Sequence, residues 1–185
     1  MKWSVHGWIG FFILLFMGMA DAQQPACKVT SGSIRFVSEA PLELIQARSD
    51  KVRGVLDLTN RTFLFTVPLN TFQGFNNALQ QDHFNENYLE SEEFPEATFK
   101  GRIIESVDLN RPGRYDIRSK GQLTIHGVKS ERIIRCQLEV SNTGIRVTSA
   151  FSLILSDHNI QIPRIVHQKI AEEVQVQVDL LMTRR

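Results

Sequence analysis

The feature that most constrains this chain is a strict alternation of polar and apolar residues over long segments. Residues 114–125 place Tyr115 and Ile117 on one side and Asp116 and Arg118 on the other. Successive side chains of a β-strand point to opposite faces of a sheet, so a period of two predicts a strand with one dry face and one wet face. An amphipathic helix would instead repeat its apolar residues every three or four positions.

The same alternation recurs along most of the chain and predicts an all-β domain. Turn-forming sequences such as Asn142-Thr143-Gly144 separate the alternating segments. Eight or nine strands joined by short turns imply antiparallel pairing. The strong pattern covers residues 62–69, 97–103, 114–125, 134–140, 145–155 and 174–182, and a weaker one covers 32–37, 42–47 and 52–58.

The length of the predicted strands favours a closed barrel over a two-sheet sandwich. Several of them run to about ten residues or more, which is longer than the usual five or six and is typical of strands tilted around a barrel axis. Closure also removes the exposed edges of the sheet. We therefore predict a single antiparallel β-barrel of about eight strands, and the sandwich stays open as the alternative.

Two segments have a helical pattern. In residues 76–88, Leu79, His83 and Phe84 are spaced to share one face of a helix. A short helical turn is predicted near residues 164–171, after Pro163. Most carboxylates of the acidic stretch between residues 80 and 101 are expected to face solvent. The prediction is one short α-helix whose apolar face lies near the barrel opening.

The predicted inward-facing residues are too uneven in size to fill a barrel evenly. An eight-stranded barrel is just wide enough to be filled by its own side chains or to hold one small ligand. An empty apolar lumen is costly, so we expect an apolar tail to occupy it, and large side chains that fill the gaps are the alternative. The small inward residues are Ala97, Gly101, Ser119, Gly121 and Ser149.

The ligand contacts predicted from this alternation are mostly aromatic. Those expected along the tail are Phe63, Phe65, Phe99, Tyr115, Ile117, Phe151 and Leu153. Those expected near the entrance are Phe72, Phe75 and Phe84.

The first 22 residues resemble a secretory signal peptide. A polar start precedes an apolar run over residues 8–19, and Ala20 and Ala22 supply small residues at the −3 and −1 positions. The run is shorter than the roughly 20 residues that span a bilayer. We predict cleavage after Ala22, an exported protein that is periplasmic or secreted, and one domain over residues 23–185.

The two cysteines of the predicted exported part leave two alternatives open. Cys27 and Cys136 would meet an oxidising compartment, where an even count allows one disulfide. Two buried free thiols are the other possibility, because the sequence does not show whether the two Cα atoms come within about 7 Å of each other.

Three stretches together resemble the YceI family of exported proteins over residues 29–183. They are HFNENYLESEEFPEATFKG at 83–101, GRYDIRSKGQLTIHGVKSE at 113–131 and VQVQVDLLM at 174–182. The most specific pieces are the motif at Phe94–Phe99 and the turn at Leu123–Val128. The resemblance implies a lipocalin-like barrel that binds a polyisoprenoid, quinone-like or other long-chain lipid in its lumen, without catalysis and without a cofactor.

The polar residues that could meet a lipid head group are His83, His126 and Arg132. Arg132 is in phase with the inward residues Ile134 and Cys136, whereas His126 is also typical of a turn residue that satisfies nearby backbone groups. The formal net charge of +1 gives no indication of nucleic-acid binding. The partners predicted are a long-chain lipid and a transient membrane contact for its loading, and the oligomeric state stays open.

Rival functions follow from the same residues. A solid barrel without a ligand would be an envelope-stress or interaction protein. A hydrolase would need a nucleophile beside His83, and no nucleophile elbow is present in the sequence. A metal site would need three or four converging ligands, whereas only His83 and Glu86 are near each other in the helix.

Overall fold

The structure is a computed structural model that describes residues 25–184. Nine antiparallel strand segments form one sheet, and this sheet closes on itself because the first strand also pairs with the last. The strands are β1 (Ala26–Glu39), β2 (Leu44–Ser49), β3 (Arg53–Asp57), β4 (Thr62–Pro68), β5 (Glu96–Ile103), β6 (Gly113–Ile125), β7 (Val128–Val140), β8 (Gly144–Ile154) and β9 (Glu173–Arg184).

Strands β2 and β3 are two halves of one barrel strand. Both pair with β1 in a single register, in which Ile34 lies opposite Ser49 and Cys27 lies opposite Leu56. Residues 50–52 interrupt the strand between the two halves. The closed barrel therefore has eight strands, which confirms the predicted fold class, and the sandwich alternative is wrong.

Two strands are longer than the alternation predicts. β1 begins at Ala26 instead of residue 32, and β7 begins at Val128 instead of residue 134. The first half of β7 contains Lys129, Glu131 and Arg132, which obscure the apolar pattern. Its strand conformation comes from pairing with β6, whose 13 residues all have a partner in β7.

The predicted helix is present at one end of the barrel, which we call the mouth. Helix α1 (Ala78–His83) begins after Asn77, whose side chain accepts a hydrogen bond from the Gln80 amide at 2.9 Å, and it continues as a π-helical turn over Phe84–Tyr88. The segment between β8 and β9 reaches the same end and has 3₁₀ turns at Leu155–His158 and Arg164–Val166. Within residues 25–184, no helix has the length and hydropathy of a transmembrane span.

The opposite end of the barrel is closed by the loop between β5 and β6. Leu109 in this loop is only 1% exposed and joins the core that contains Ile145 and Met182. The guanidinium group of Arg184 donates to the Leu109 carbonyl oxygen at 2.8 Å and to Asn110 Oδ1 at 2.9 Å. The last residues of β9 therefore hold the loop across the end of the barrel.

We expect Leu109→Ala to lower the free energy of unfolding by about 2 to 5 kcal/mol, because it leaves a cavity in a closed core. Urea unfolding followed by circular dichroism measures this change. Leu181→Ala is the matched control, since Leu181 is 47% exposed on β9, and we expect it to cost at most about 0.5 kcal/mol. Equal losses in the two variants would show that Leu109 does not seal this end.

Candidate ligand-binding cavity

The lumen of the barrel contains two cavities that share part of their walls. The inner cavity has a volume of about 120 Å³, and the outer cavity, which lies under α1 at the mouth, has a volume of about 450 Å³. The outer volume lies within the range of small-molecule sites. The two cavities lie end to end along the lumen, and we call them together the channel. Six residues line both of them: Ile34, Val67, Ala97, Leu123, Phe151 and Val176.

The wall of the inner cavity is almost entirely apolar. Phe63 is part of this wall, and the centroid of its ring lies 5.0 Å from that of Phe99 and 5.5 Å from that of Phe65. Ser119 and Ser149 leave room beside these rings, as their size predicts. No charged side chain of residues 25–184 lines this cavity, so it suits a hydrocarbon and offers nothing to a charged group.

Gly101 and Gly121 do not contribute to this space, which corrects the prediction from their size. They lie opposite each other on β5 and β6, and neither lines a cavity. A Cβ on Gly121 would lie 2.4 Å from the Lys100 carbonyl oxygen and 2.9 Å from the Gly101 Cα. The two glycines therefore allow two backbones to approach closely and do not widen the lumen.

Four aromatic rings pack against one another in the wall of the outer cavity, and we call them the aromatic cluster: Phe36, Phe72, Phe75 and Phe84. The rings of Phe36 and Phe84 are stacked, with centroids 5.4 Å apart and an interplanar angle of 10°. Phe75 and Phe72 lie 5.1 Å and 5.7 Å from Phe84. The cluster connects β1 to the helical segment, so it fixes that segment over the mouth while its ring faces line the channel.

Among the described residues, charged side chains line only the outer part of the channel. Glu43 already accepts hydrogen bonds from the side chains of Asn76 and Gln80. His83, Tyr88 and Lys169 also line this cavity. Burial raises the pKa of Tyr88, so its hydroxyl group stays protonated at neutral pH and can donate a hydrogen bond.

The comparisons with known proteins agree with this geometry. The family model of the YceI-like domain matches residues 27–182. The chain belongs to the YceI-like domain family. A comparison with curated proteins finds no match.

Three solved structures show the same fold at low sequence identity. A polyisoprenoid-binding domain from Saccharophagus degradans implicated in plant cell wall breakdown is 16% identical, with a TM-score of 0.75, and the match covers 88% of this chain and 99% of that domain. Burkholderia cenocepacia BcnA is 15% identical, with a TM-score of 0.68 and coverage of 81% and 95%. A Campylobacter jejuni YCEI protein is 12% identical, with a TM-score of 0.53 and coverage of 100% and 98%.

Nine of the ten predicted apolar contacts of this YceI-like domain line the channel, and their contact with a ligand stays a prediction. The exception is Tyr115, which is placed toward the closed end, where its hydroxyl group donates to the Arg111 carbonyl oxygen at 2.9 Å. Those in the inner cavity are Phe63, Phe65, Phe99, Ile117 and Phe151, and those in the outer cavity are Phe72, Phe75, Phe84 and Leu153, with Phe151 shared by both.

Cys27 and Cys136 are both free thiols in the structure, so the two are not joined by the disulfide that the sequence left open. Cys27 lies opposite Leu56 and Arg184 at the closed end, whereas Cys136 lies in the middle of β7, opposite Ile117. Burial raises the pKa of both thiols. Cys136 lines the inner cavity as a small neutral group.

Of the three predicted head-group residues, His126 and Arg132 lie outside the channel wall. The ring of His126 bonds through Nε2 to Glu90 at 2.6 Å and through Nδ1 to the His158 carbonyl oxygen at 3.1 Å. Arg132 donates to the Ser152 carbonyl oxygen at 2.7 Å. Both residues hold neighbouring segments together, and of the three only His83 lines the channel; its contact with a head group stays a prediction.

Arg132 bridges a separation in the barrel wall. Strands β7 and β8 pair only where Cys136–Val140 of β7 meet Ile145–Ser149 of β8, and their halves nearer the mouth diverge. The guanidinium group crosses this separation, with Nη1 also 3.7 Å from Asp157 in the segment that follows β8. A side chain therefore replaces the missing backbone ladder and holds that segment against the barrel.

We expect Arg132→Ala to loosen the segment between β8 and β9. Losing a hydrogen bond from a charged group costs about 1.5 to 3 kcal/mol, so amide exchange over residues 155–170 should accelerate about tenfold or more. Hydrogen exchange measured by mass spectrometry reports this change. Arg135→Ala is the matched control, because Arg135 is exposed on the same strand, and a similar acceleration in the control would contradict the bridging role.

His158 is buried under the turn between β6 and β7. It is 0% exposed, and neither ring nitrogen has a hydrogen-bond partner among the described residues. Burial lowers the pKa of His158. The imidazole is therefore neutral in the folded protein near pH 7, and its protonation favours the unfolded state.

The stability of the protein should consequently fall between pH 7 and pH 5. Neutral His158 makes its full contribution to the free energy of unfolding above the pKa of a histidine in the unfolded chain, about 6.5. This contribution is lost as the pH falls from that value through the lower pKa of His158 in the folded protein. His158→Gln should flatten this part of the stability curve, measured by urea unfolding at several pH values. A wild-type slope in His158→Gln would contradict the assignment.

Among residues 25–184, no group of three or more His, Cys, Asp or Glu side chains is placed to hold a metal ion.

Proposed function

We propose that this YceI-like protein binds one long-chain isoprenoid or similar lipid in the barrel channel and shields it from water, without catalysing a reaction. The observation that carries the proposal is the channel itself, whose inner cavity has an almost entirely apolar wall and whose outer cavity lies under α1 at the mouth. A linear tail with one polar end has the shape that such a channel accommodates. The polyisoprenoid-binding domain from Saccharophagus degradans shares the fold.

The binding free energy would come mainly from the tail. Each methylene group moved out of water contributes about 0.8 kcal/mol. The tail would lie beside Phe63, Phe65 and Phe99 in the inner cavity and pass the aromatic cluster in the outer cavity. Contacts of this kind select for length and hydrophobicity and do not distinguish closely related tails.

The head group would remain at the mouth, where the polar residues are. His83, Tyr88 and Lys169 line the outer cavity, and a protonated tyrosine and a lysine both offer hydrogens. This arrangement favours a head group rich in acceptor oxygens, such as a phosphate or a quinone. Tyr88 and Lys169 escaped the sequence analysis because neither belongs to an alternating strand segment.

A ligand-free interaction protein is the rival function, and the geometry gives it less support. Such a barrel needs side chains that meet along its axis, whereas Ala97, Ser119 and Ser149 leave the channel open. We further propose that the protein acts after export, as the sequence of residues 1–22 predicts. Those residues lie outside the described part of the chain.

We expect Ala97→Phe to block the channel where its two parts meet and to lower lipid occupancy at least tenfold. Native mass spectrometry and organic extraction of protein purified from a lipid-rich host measure occupancy and identify the lipid. Lys100→Phe is the matched control, because it adds the same ring at an exposed position of β5.

The proposal also specifies what the wild-type protein should contain. A co-purifying lipid with an isoprenoid or comparably long tail is the expected result. Repeated absence of any lipid, or equal occupancy in Ala97→Phe and Lys100→Phe, would favour the ligand-free interaction protein. If Ala97→Phe does not fold, Val176→Phe replaces it in this test, because Val176 also lines both cavities.

A further inference from the structure

The channel ends inside the barrel, at a row of residues that the strand register aligns. Leu138 of β7 lies opposite Val147 of β8, and Val147 lies opposite Leu180 of β9. All three line the inner cavity, and no residue of these strands nearer the closed end lines either cavity. We call these three residues the floor row.

A packed layer lies directly behind the floor row. Two residues further along the three strands are Val140, Ile145 and Met182, which are again opposite one another and line neither cavity. Ile145 and Met182 are 0% exposed, and they belong to the same core as Leu109 of the loop that covers this end. A ligand would therefore have to displace closely packed side chains to pass the floor row.

The strand register also gives the depth of the apolar wall. Leu153 of β8 and Val174 of β9 lie opposite each other and line the outer cavity at the mouth. Each is six residues away from the floor row on its own strand. At about 3.3 Å per residue and a strand tilt of about 35 to 45°, these six steps span about 15 Å along the barrel axis.

The small inner cavity relates this depth to the length of a tail. Its volume of about 120 Å³ is about a quarter of the 450 Å³ of the outer cavity, so it has room for one pass of an extended chain. Such a chain advances about 1.2 Å per backbone bond, and an isoprene unit with four of these bonds is therefore about 5 Å long. About three units reach from Leu153 to the floor row, and about one more fits in the wider outer cavity.

We propose that the floor row, backed by Ile145 and Met182, limits the ligand of the channel to a tail of three or four isoprene units or of the corresponding length. This inference rests on the proposed function, because it requires that a tail enters the channel from the mouth. The surplus units of a longer polyisoprenoid stay outside the protein. They bury no apolar surface against the channel wall and add nothing to the affinity.

Four isoprenoid alcohols test the limit: geraniol, farnesol, geranylgeraniol and solanesol have two, three, four and nine isoprene units. The purified protein is mixed with equimolar amounts of the four in detergent, and native mass spectrometry measures which of them it binds. We expect farnesol and geranylgeraniol to exceed geraniol at least tenfold, because geraniol leaves part of the wall uncovered. They should also exceed solanesol at least tenfold, since its surplus units leave the micelle without entering the protein.

Substitutions at the floor row and behind it should move the limit in opposite directions. Val147→Phe adds a ring at the inner end of the channel, and we expect it to lower the ratio of bound geranylgeraniol to bound farnesol at least tenfold. Ala150→Phe is its matched control, because it adds the same ring at an exposed position of β8. Met182→Ala should raise the ratio at least threefold, and Leu181→Ala, at the exposed neighbouring position of β9, should not change it.

The outcomes separate the length limit from lipid binding itself. Strongest binding of solanesol by the wild-type protein would overturn the limit and leave the proposed function intact. An unchanged ratio in Val147→Phe or Met182→Ala, with folding confirmed by circular dichroism, would show that the floor row does not set the length and would overturn the inference too. Binding of none of the four alcohols would overturn the proposed function, and the limit with it.

Discussion

The pairing of β1 with β9 is the interaction on which the rest of the structure depends, because it turns a twisted sheet into a closed wall of fixed circumference. The hydrogen bonds between the strands set the width of the lumen, and the size of the inward-facing side chains determines whether the lumen is filled. Small residues such as Ala97 and Ser149 stand on this wall among phenylalanines, and neighbouring strands cannot move inward to compensate. The channel is thus a consequence of closure and of residue size together.

The alternation in the sequence was sufficient to predict the barrel and most of the channel wall, because inward residues must recur with a period of two, and the helical spacing of Leu79, His83 and Phe84 predicted the helix at the mouth. The alternation did not predict the structure where strand pairing or close backbone contact determines the conformation. The first half of β7 is held by β6 despite its charges. Gly121 was expected to widen the lumen because it has no side chain, whereas in the structure it allows β5 and β6 to approach closely. Such tertiary effects leave no trace in local periodicity.

The errors in the candidate site have a related cause. Arg132 is in phase with the inward residues of β7, but β7 and β8 separate at that height, so its guanidinium group reaches across the separation instead of into the lumen. His126 has a positive φ of 50° at the turn, and both of its ring nitrogens are occupied by neighbouring segments. Phase along a strand predicts the channel wall only where both neighbouring strands are paired.

The two ends of the barrel differ in how they are held, and this difference indicates where the proposed ligand would exchange. At the closed end the strands are continuously paired, Leu109 is buried, and Arg184 fixes the loop between β5 and β6. The cover of the mouth is attached by the aromatic cluster, by side-chain bonds from Arg132 and His126, and by isolated backbone bonds such as the pair between Arg48 and Gln73. Isolated contacts can open one at a time, whereas a ladder opens cooperatively. Exchange of the proposed ligand through the mouth would therefore require a smaller free energy than exchange through the closed end.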